Sequence, residues 1–271
     1  MKIDYHIHSK FSADSEMQPE ALIQSAIKKN YSEIAFTEHI DFLEKNHHFI
    51  KTFPSYLKTL QNYKKKYTNM KILTGVEIGE IHRTNDECSQ MLSNYKIDLL
   101  IGSIHILKNS KNISTPLDFE LDNNLIKNYY EENLELCSTG NFHILGHLGI
   151  YKRYLRQSPD ETKYLKIIKK IFSEIIKKDI ALEINTSPLR KPLGKIIPEP
   201  KFIKLYKKMG GKLITLGSDT HALKDFDKHY SSVIKILEDL NIKNIFRLRN
   251  NSWVKFPLNQ LLQETETKPP N

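Results

Sequence analysis

Near its start the chain reads DYHIHSKFSAD, which sets His6 and His8 on either side of Ile7 and places Asp14 six residues after the second imidazole. In an extended strand alternate residues share a face. His6 and His8 then point the same way, about 7 Å apart along the strand, and Ile7 points into the packing layer. Two imidazoles on one face can bind a common metal. Asp219 and His221 repeat the spacing toward the other end of the chain. The two pairs can meet only if the sheet that carries them closes on itself.

Between these pairs, further imidazoles and carboxylates stand at the ends of strand-like stretches: Glu38-His39, Glu77 with Glu80, His105, His147 and Glu183. Each is weak evidence alone, because a single strand-end histidine is more often a hydrogen-bonded structural residue. Their convergence is the signal. Six of the eleven histidines (His6, His8, His39, His105, His147 and His221) lie at such ends, together with Asp14, Glu77 and Asp219. Uncompensated, so many polar groups at one rim would cost stability. Divalent ions would satisfy them, and a nitrogen and carboxylate set suits Zn, Mn or Fe. His47, His48, His82, His143 and His229 fall mostly in loops or helices and are read as non-ligands.

The strand-like stretches that would position these groups are KIDYHIH, EIAFTEH, KILTGVEIGEI, DLLIGSIHIL, FHILGHL, IALEINTS and KLITLGSD. They are short, rich in β-branched residues and apolar on both faces, as parallel strands covered on both sides are. Helical patterns alternate with them. QPEALIQSAIKKN carries Pro19 near its start; the stretch from Thr84 to Tyr95 has a threonine N-cap; another helix begins near Asp122. A fourth is expected to be capped by Ser158, with Pro159 in its first turn and a stripe of Leu165, Ile168, Ile171, Phe172 and Ile175. Seven strands alternating with helices imply right-handed βαβ units and a closed or nearly closed barrel. In such barrels the carboxyl ends of the strands carry the active site. Residues 1–262 are expected to form one barrel domain, and the polar, proline-ended residues 263–271 a disordered tail.

Composition narrows the classes. The chain has 271 residues, of which 39% are hydrophobic and 10% aromatic, enough for a sizeable core. No apolar run approaches the roughly 20 residues of a membrane helix. Met1-Lys2-Ile3-Asp4 runs straight into the first strand without a secretory signal. Cys88 and Cys137 lack metal-type spacing and suit a reduced, cytoplasmic setting. The net charge of +9 comes from basic pairs and triples spread over predicted outer helix faces. No aromatic-interleaved basic platform appears, so the charge reads as a solvated surface and not as a nucleic-acid interface. A positive field would still draw in a small anionic substrate.

The motifs DYHIHSKFSAD, AFTEH, GVEIGE, GSIHIL, LGHLG and LGSDTH, in this order, resemble the PHP (polymerase and histidinol phosphatase) superfamily, and the match runs to about residue 250. Within it, GSIHIL, GHLGIYKRY and EINTSPLRKP resemble the monofunctional histidinol-phosphate phosphatases. The resemblance implies a distorted (β/α)7 TIM-like barrel of the α/β class, holding three divalent metal ions. It implies a first ion on His6, His8, Glu77 and Asp219, a second sharing Glu77 and adding His105 and His147, and a third on Asp14, His39 and His221. Asp14 stands where many relatives have histidine. Glu80 is the rival to Glu77. Gly149 stands where an acidic residue is expected.

The activity so implied is hydrolysis of L-histidinol phosphate to L-histidinol and phosphate, in histidine biosynthesis, by a metal-bridging hydroxide attacking phosphorus in line. Arg190 and Arg153 follow the sixth and fifth strands and could clamp the phosphate, since a guanidinium fork holds two oxygens at once. Arg156 and Arg83 are lesser candidates. Asp219, His221 or a metal-bound water could protonate the leaving alcohol. Residues 40–68, with His47, His48, Phe49 and Phe53, are read either as a lid or as a packing loop. Competing readings are a PHP phosphatase acting on phosphotyrosine or a nucleotide monophosphate, a PHP-type nuclease, and a metal-binding regulatory module. An amidohydrolase would also use HxH, but no strand-end lysine is present to bridge its metals. The oligomeric state is not legible.

Overall fold

The computed structural model describes residues 1–43 and 48–261. Seven strands, β1 (Lys2–Ile7), β2 (Tyr31–Ile40), β3 (Lys71–Gly79), β4 (Leu99–Ser103), β5 (Ile144–Leu145), β6 (Ala181–Asn185) and β7 (Ile214–Gly217), form one sheet in sequence order. Every pairing is parallel. The sheet closes where Ile7 bridges Thr220 in parallel. There the Asp219 N–H donates to the His6 carbonyl (2.8 Å) and the His8 N–H to the Thr220 carbonyl (3.0 Å). The expected closed barrel of seven strands is what forms.

Seven helices connect and follow the strands: α1 (Pro19–Lys28), α2 (His48–Lys66), α3 (Asn85–Leu92), α4 (Asn123–Thr139), α5 (Leu165–Lys177), α6 (Pro200–Lys208) and α7 (Tyr230–Asp239). Their apolar stripes explain their placement. On α5, Ile168, Ile171, Phe172 and Ile175 are buried while the lysines face out. These side chains join one core with the outward residues of the strands, such as Ile34, Phe36, Ile72 and Ile78. Inside the barrel a second cluster gathers Tyr5, Ala35, Leu73, Leu99, Ile101, Ile144 and Ala181 from six strands. Leu248 joins it from a two-stranded hairpin, β8 (Asn244–Arg249) and β9 (Ser252–Pro257). The hairpin is held there by the Leu248 N–H on the Tyr5 hydroxyl (3.2 Å) and by Arg249 on Glu33.

Local expectations fare unevenly. Asp122 caps α4, its carboxylate accepting from the Leu125 N–H at 2.8 Å. Ser158 does not cap a helix. The Asp160 carboxylate instead accepts the Thr162 N–H, one short turn follows, and α5 begins only at Leu165. Thr84 sits at the cap of α3, but its hydroxyl donates to the Glu80 carbonyl. The 40–68 stretch is largely helix α2, with Pro54 inside it. Phe53 is buried, and the Tyr56 hydroxyl donates to the carbonyls of Phe36 and Gly75. His47 and the 263–271 tail lie outside the described residues, as do the side chains of His48 and Phe49.

Candidate metal centre at the carboxyl rim

Inward positions along β3 pass from Leu73 through Gly75 to Glu77, so the strand delivers a fully buried carboxylate above the apolar filling. Five imidazoles surround it. Glu77 Oε1 lies 2.8 Å from His147 Nε2 and 3.3 Å from His105 Nε2, and accepts the Ser103 hydroxyl at 2.6 Å. Glu77 Oε2 lies 3.1 Å from His39 Nδ1, 3.2 Å from His6 Nε2 and 3.4 Å from His8 Nε2. Asp219 follows β7 in a left-handed conformation (φ 50°) and turns Oδ1 toward His8 Nε2, at 3.6 Å, and His6 Nε2, at 4.0 Å. At the mouth, Asp14 Oδ2 is 3.0 Å from His221 Nε2 and 3.6 Å from His39 Nε2. All nine residues expected to carry chemistry at the strand ends are thus brought together.

Several of these atoms are left without hydrogen bonds. His6 Nε2, His8 Nε2, His39 Nδ1 and Glu77 Oε2 are buried and have no partner. Groups of three donor atoms fall within 4.8 Å of one another at His6, His8 and Glu77, at His8, His39 and His221, and at His39, Glu77 and His105. A buried polar group without a partner is costly. Cations placed among these groups would satisfy them.

The electrostatics agree. Burial acts to raise the Glu77 carboxyl, but His6, His105 and His147 outweigh it and hold the group well below its usual range. Asp219 is also held low against burial, by the charges of His6 and Arg153, and Asp14, exposed at the mouth, is held low by hydrogen bonds from His221 and His39. Burial disfavours charge on His105, yet Glu77 and Asp41 push it up to about 10. His39 and His6 are raised in the same way by their carboxylate neighbours. His8 is the exception. Burial lowers it and the neighbouring His39 and His221 lower it further, so it stays neutral. Protons on the imidazoles stand in for missing positive charge, and binding a metal would displace them.

The two arginines flank Asp219. Arg153 follows a short turn (Ile150–Lys152); its Nη1 donates to Asp219 Oδ2 at 2.9 Å and its Nη2 to the Ser114 carbonyl. Arg190 ends another turn (Ser187–Arg190) and donates through Nη2 to the carbonyls of Ser218 (2.8 Å) and Asp219 (3.3 Å). Each keeps one N–H group without a protein partner: Nε of Arg153 and Nη1 of Arg190. Arg83 is instead drawn to Glu132 (3.6 Å), and Arg156 is exposed.

Glu80 does not join the imidazoles. Its Oε1 accepts the backbone N–H groups of His105 (2.5 Å) and Ile106 (2.8 Å), so it braces the chain behind the site. Gly149 adopts φ 106°, and a Cβ there would meet Lys152 Cε at 3.0 Å. An acidic residue at 149 would be strained in that conformation, which accounts for glycine.

Three neighbours of the site were not foreseen as participants. Asp41 Oδ1 lies 3.2 Å from His105 Nδ1. Its position two residues after His39, on the same strand face, was a readable signal. Ser187 donates its hydroxyl to Asp219 Oδ2 at 3.1 Å. Glu183, a noted strand-end carboxylate with no assigned role, lies 2.6 Å from His6 Nδ1.

Known proteins resemble this arrangement. The profile of the PHP domain matches residues 4–187. The histidinol-phosphatase of Lactococcus lactis is 32% identical over 82% of this chain and 85% of its own length. A probable histidinol-phosphatase of Clostridium acetobutylicum is 28% identical over 91% and 96%. The crystal structure of the Lactococcus lactis histidinol phosphate phosphatase, complexed with zinc, L-histidinol and phosphate, superposes with a TM-score of 0.79 at 25% identity, covering 94% of this chain and 99% of that one. With its barrel, its rim of imidazoles and carboxylates and these matches, the chain belongs to the PHP domain family.

Proposed function

We propose that the chain is a metal-dependent phosphomonoesterase that hydrolyses L-histidinol phosphate to L-histidinol and phosphate. The observation that carries this reading is Glu77, whose two oxygens face two different groups of imidazoles, those facing Oε2 with nitrogens that lack hydrogen bonds, beside two arginines with N–H groups to spare. In this reading His6, His8, Glu77 and Asp219 hold one divalent ion, Glu77, His105 and His147 a second, and Asp14, His39 and His221 a third. The donor set suits Zn, Mn or Fe. When bound, such ions neutralise phosphate charge and lower the pKa of water toward about 7.

The chain's own residues do the rest. Arg153 Nε and Arg190 Nη1 are the free donors for phosphate oxygens, and they orient the ester beside Asp219. Asp219 is held ionised, so it takes up a proton before it can return one to the leaving alcohol. His221 has Nε2 facing Asp14 and Nδ1 against the Asp219 carbonyl (3.2 Å), which leaves it no ring nitrogen for the alcohol. The substrate is a small phosphate ester, as the phosphate and L-histidinol in the Lactococcus lactis relative suggest. Among the described residues no helix is long and apolar enough to cross a membrane. That fits an enzyme of a small cytoplasmic metabolite.

Phosphate release with Mn or Zn should be compared for histidinol phosphate, phosphotyrosine, AMP and an oligonucleotide. Histidinol phosphate is expected to lead by at least about tenfold in kcat/KM, or about 1.4 kcal/mol of transition-state discrimination. A smaller lead would discard the substrate. In the same assay Arg190→Ala should raise KM about tenfold or more while metal content stays unchanged.

A further inference from the structure

We propose that Glu183 is a positioning residue: it fixes the ring of His6 and ties it to His147, so that ligands from two strands reach Glu77 in register. The inference rests on the metal-centre reading above. Glu183 lies on the inner face of β6 and is 1% exposed. Its Oε1 is 2.6 Å from His6 Nδ1. Its Oε2 accepts the His147 backbone N–H at 2.6 Å and the Asn185 amide at 3.2 Å. Both oxygens are occupied by these partners, so the carboxylate is turned away from the donor cluster and supports it from behind.

The consequence is directional. Nδ1–H is held by Glu183, so when the protonated ring yields a proton it is Nε2 that is freed, and Nε2 faces Glu77 Oε2 at 3.2 Å and Asp219 Oδ1 at 4.0 Å. A carboxylate behind an imidazole fixes its tautomer and raises its strength as a ligand. The bond to the His147 backbone holds the end of β5 where His147 Nε2 can meet Glu77 Oε1 at 2.8 Å. His8 and His105 have weaker support. His8 Nδ1 rests on the Ser12 hydroxyl at 3.2 Å, and His105 Nδ1 on Asp41, whose side chain is 13% exposed. Glu183 differs in gripping one ligand's ring and another ligand's main chain.

Gly217 on β7 is the matching accommodation. A Cβ there would overlap Glu183 Oε1 and come within 2.6 Å of His6 Cβ. The strand next to Glu183 therefore gives up its side chain where the carboxylate must lie against the imidazole.

The test is Glu183→Gln in the full chain, with Zn and Mn affinities measured by chelator competition and the His6 tautomer read from ring 15N shifts in metal-free protein at alkaline pH, where the ring has given up its extra proton. The variant should bind at least one ion about ten- to a hundredfold more weakly. It should lose the single Nδ1–H signature of His6, and excess Mn should recover most of kcat with KM unchanged. Glu161→Gln, outside the site, should bind metal as the parent does. If Glu183→Gln does not fold, Glu183→Asp keeps the charge but withdraws it by one methylene and should still weaken binding. Parent-like affinity with an unchanged tautomer, or a loss of activity that excess metal does not restore, would overturn the proposal. A parent chain that binds no metal would instead remove the metal-centre reading on which it stands.

Discussion

Two clusters of charged side chains are buried in this barrel, and they are built on opposite terms. Around Lys152, which is fully buried, the charged groups meet their match. Lys152 Nζ donates to both oxygens of Glu161 (2.9 and 3.0 Å) and to Glu199 Oε1 (3.0 Å). The hydroxyls of Tyr130 and Tyr151 add to Glu161, and Lys195 and Lys201 close the edges. At the rim, Glu77, Asp219 and Asp14 face imidazoles, and four buried atoms have no hydrogen bond. Charge that balances itself from within the chain is structural. Charge that is balanced, apart from Arg153 on Asp219, by protons on His6, His39 and His105 invites a cation from outside. The difference separates an anchor from a working site without appeal to any relative.

That contrast is exposed to measurement. The largest effect is expected from removing metal. A chelated and dialysed preparation should lose phosphatase activity at least about a thousandfold, some 4 kcal/mol of barrier, and should regain stability on re-addition, by about 2.7 kcal/mol at a hundred times Kd. Full activity in ion-free protein would erase the distinction between the clusters. Next comes Lys152→Met, which leaves Glu161 and Glu199 buried without their cation. Urea unfolding should show a loss of about 3–5 kcal/mol, while metal stoichiometry stays that of the parent; a loss of bound ions would mean that the anchor and the site are one unit.

The smallest effect is in pH. Burial acts to raise the Glu199 carboxyl, but Lys152 and its hydrogen bonds bring it down to about 2, against an ordinary value of 4.5. A depressed acid contributes stability above 4.5 that is lost as pH falls toward 2. Unfolding midpoints of the metal-free parent should therefore decline across that window, and Lys152→Met should flatten this part of the decline. An equal slope in both proteins would detach Glu199 from Lys152.

The sequence made the barrel and the rim legible for one reason. Parallel strands all end at the same side, so a polar residue at each end is a statement about one place in space. Eight of the nine candidate ligands stand at such ends; Asp14, in the loop after β1, does not, and the choice of Glu77 over Glu80 came with the family resemblance. What escaped it is informative. Residues 40–68 read as lid or packing loop from their aromatic and imidazole side chains, whereas helix α2 carries Pro54 inside it and buries Phe53 and Tyr56. The β8–β9 hairpin went unread because its value lies in plugging the barrel, through Leu248 and Arg249, and not in its own periodicity. The role of Glu183 was hidden because its partners lie on two other strands and its space is made by a glycine on a third. Such an arrangement has no spacing to read. The arginines lie beside Asp219, but their engagement with Ser114, Ser218 and Asp219 depends on turns whose geometry the sequence does not announce.

The seam between β1 and the residues after β7 carries a consequence for biosynthesis. His6 and His8 leave the ribosome long before Thr220, and Ile7 must wait for that residue before its edge is paired. Until then the nascent chain displays seven of the nine candidate ligands on an open ribbon without Asp219 and His221. The full donor set thus assembles only at the last stage of folding, when the two chain-distant edges zip together, a slow event for contacts so far apart along the polymer.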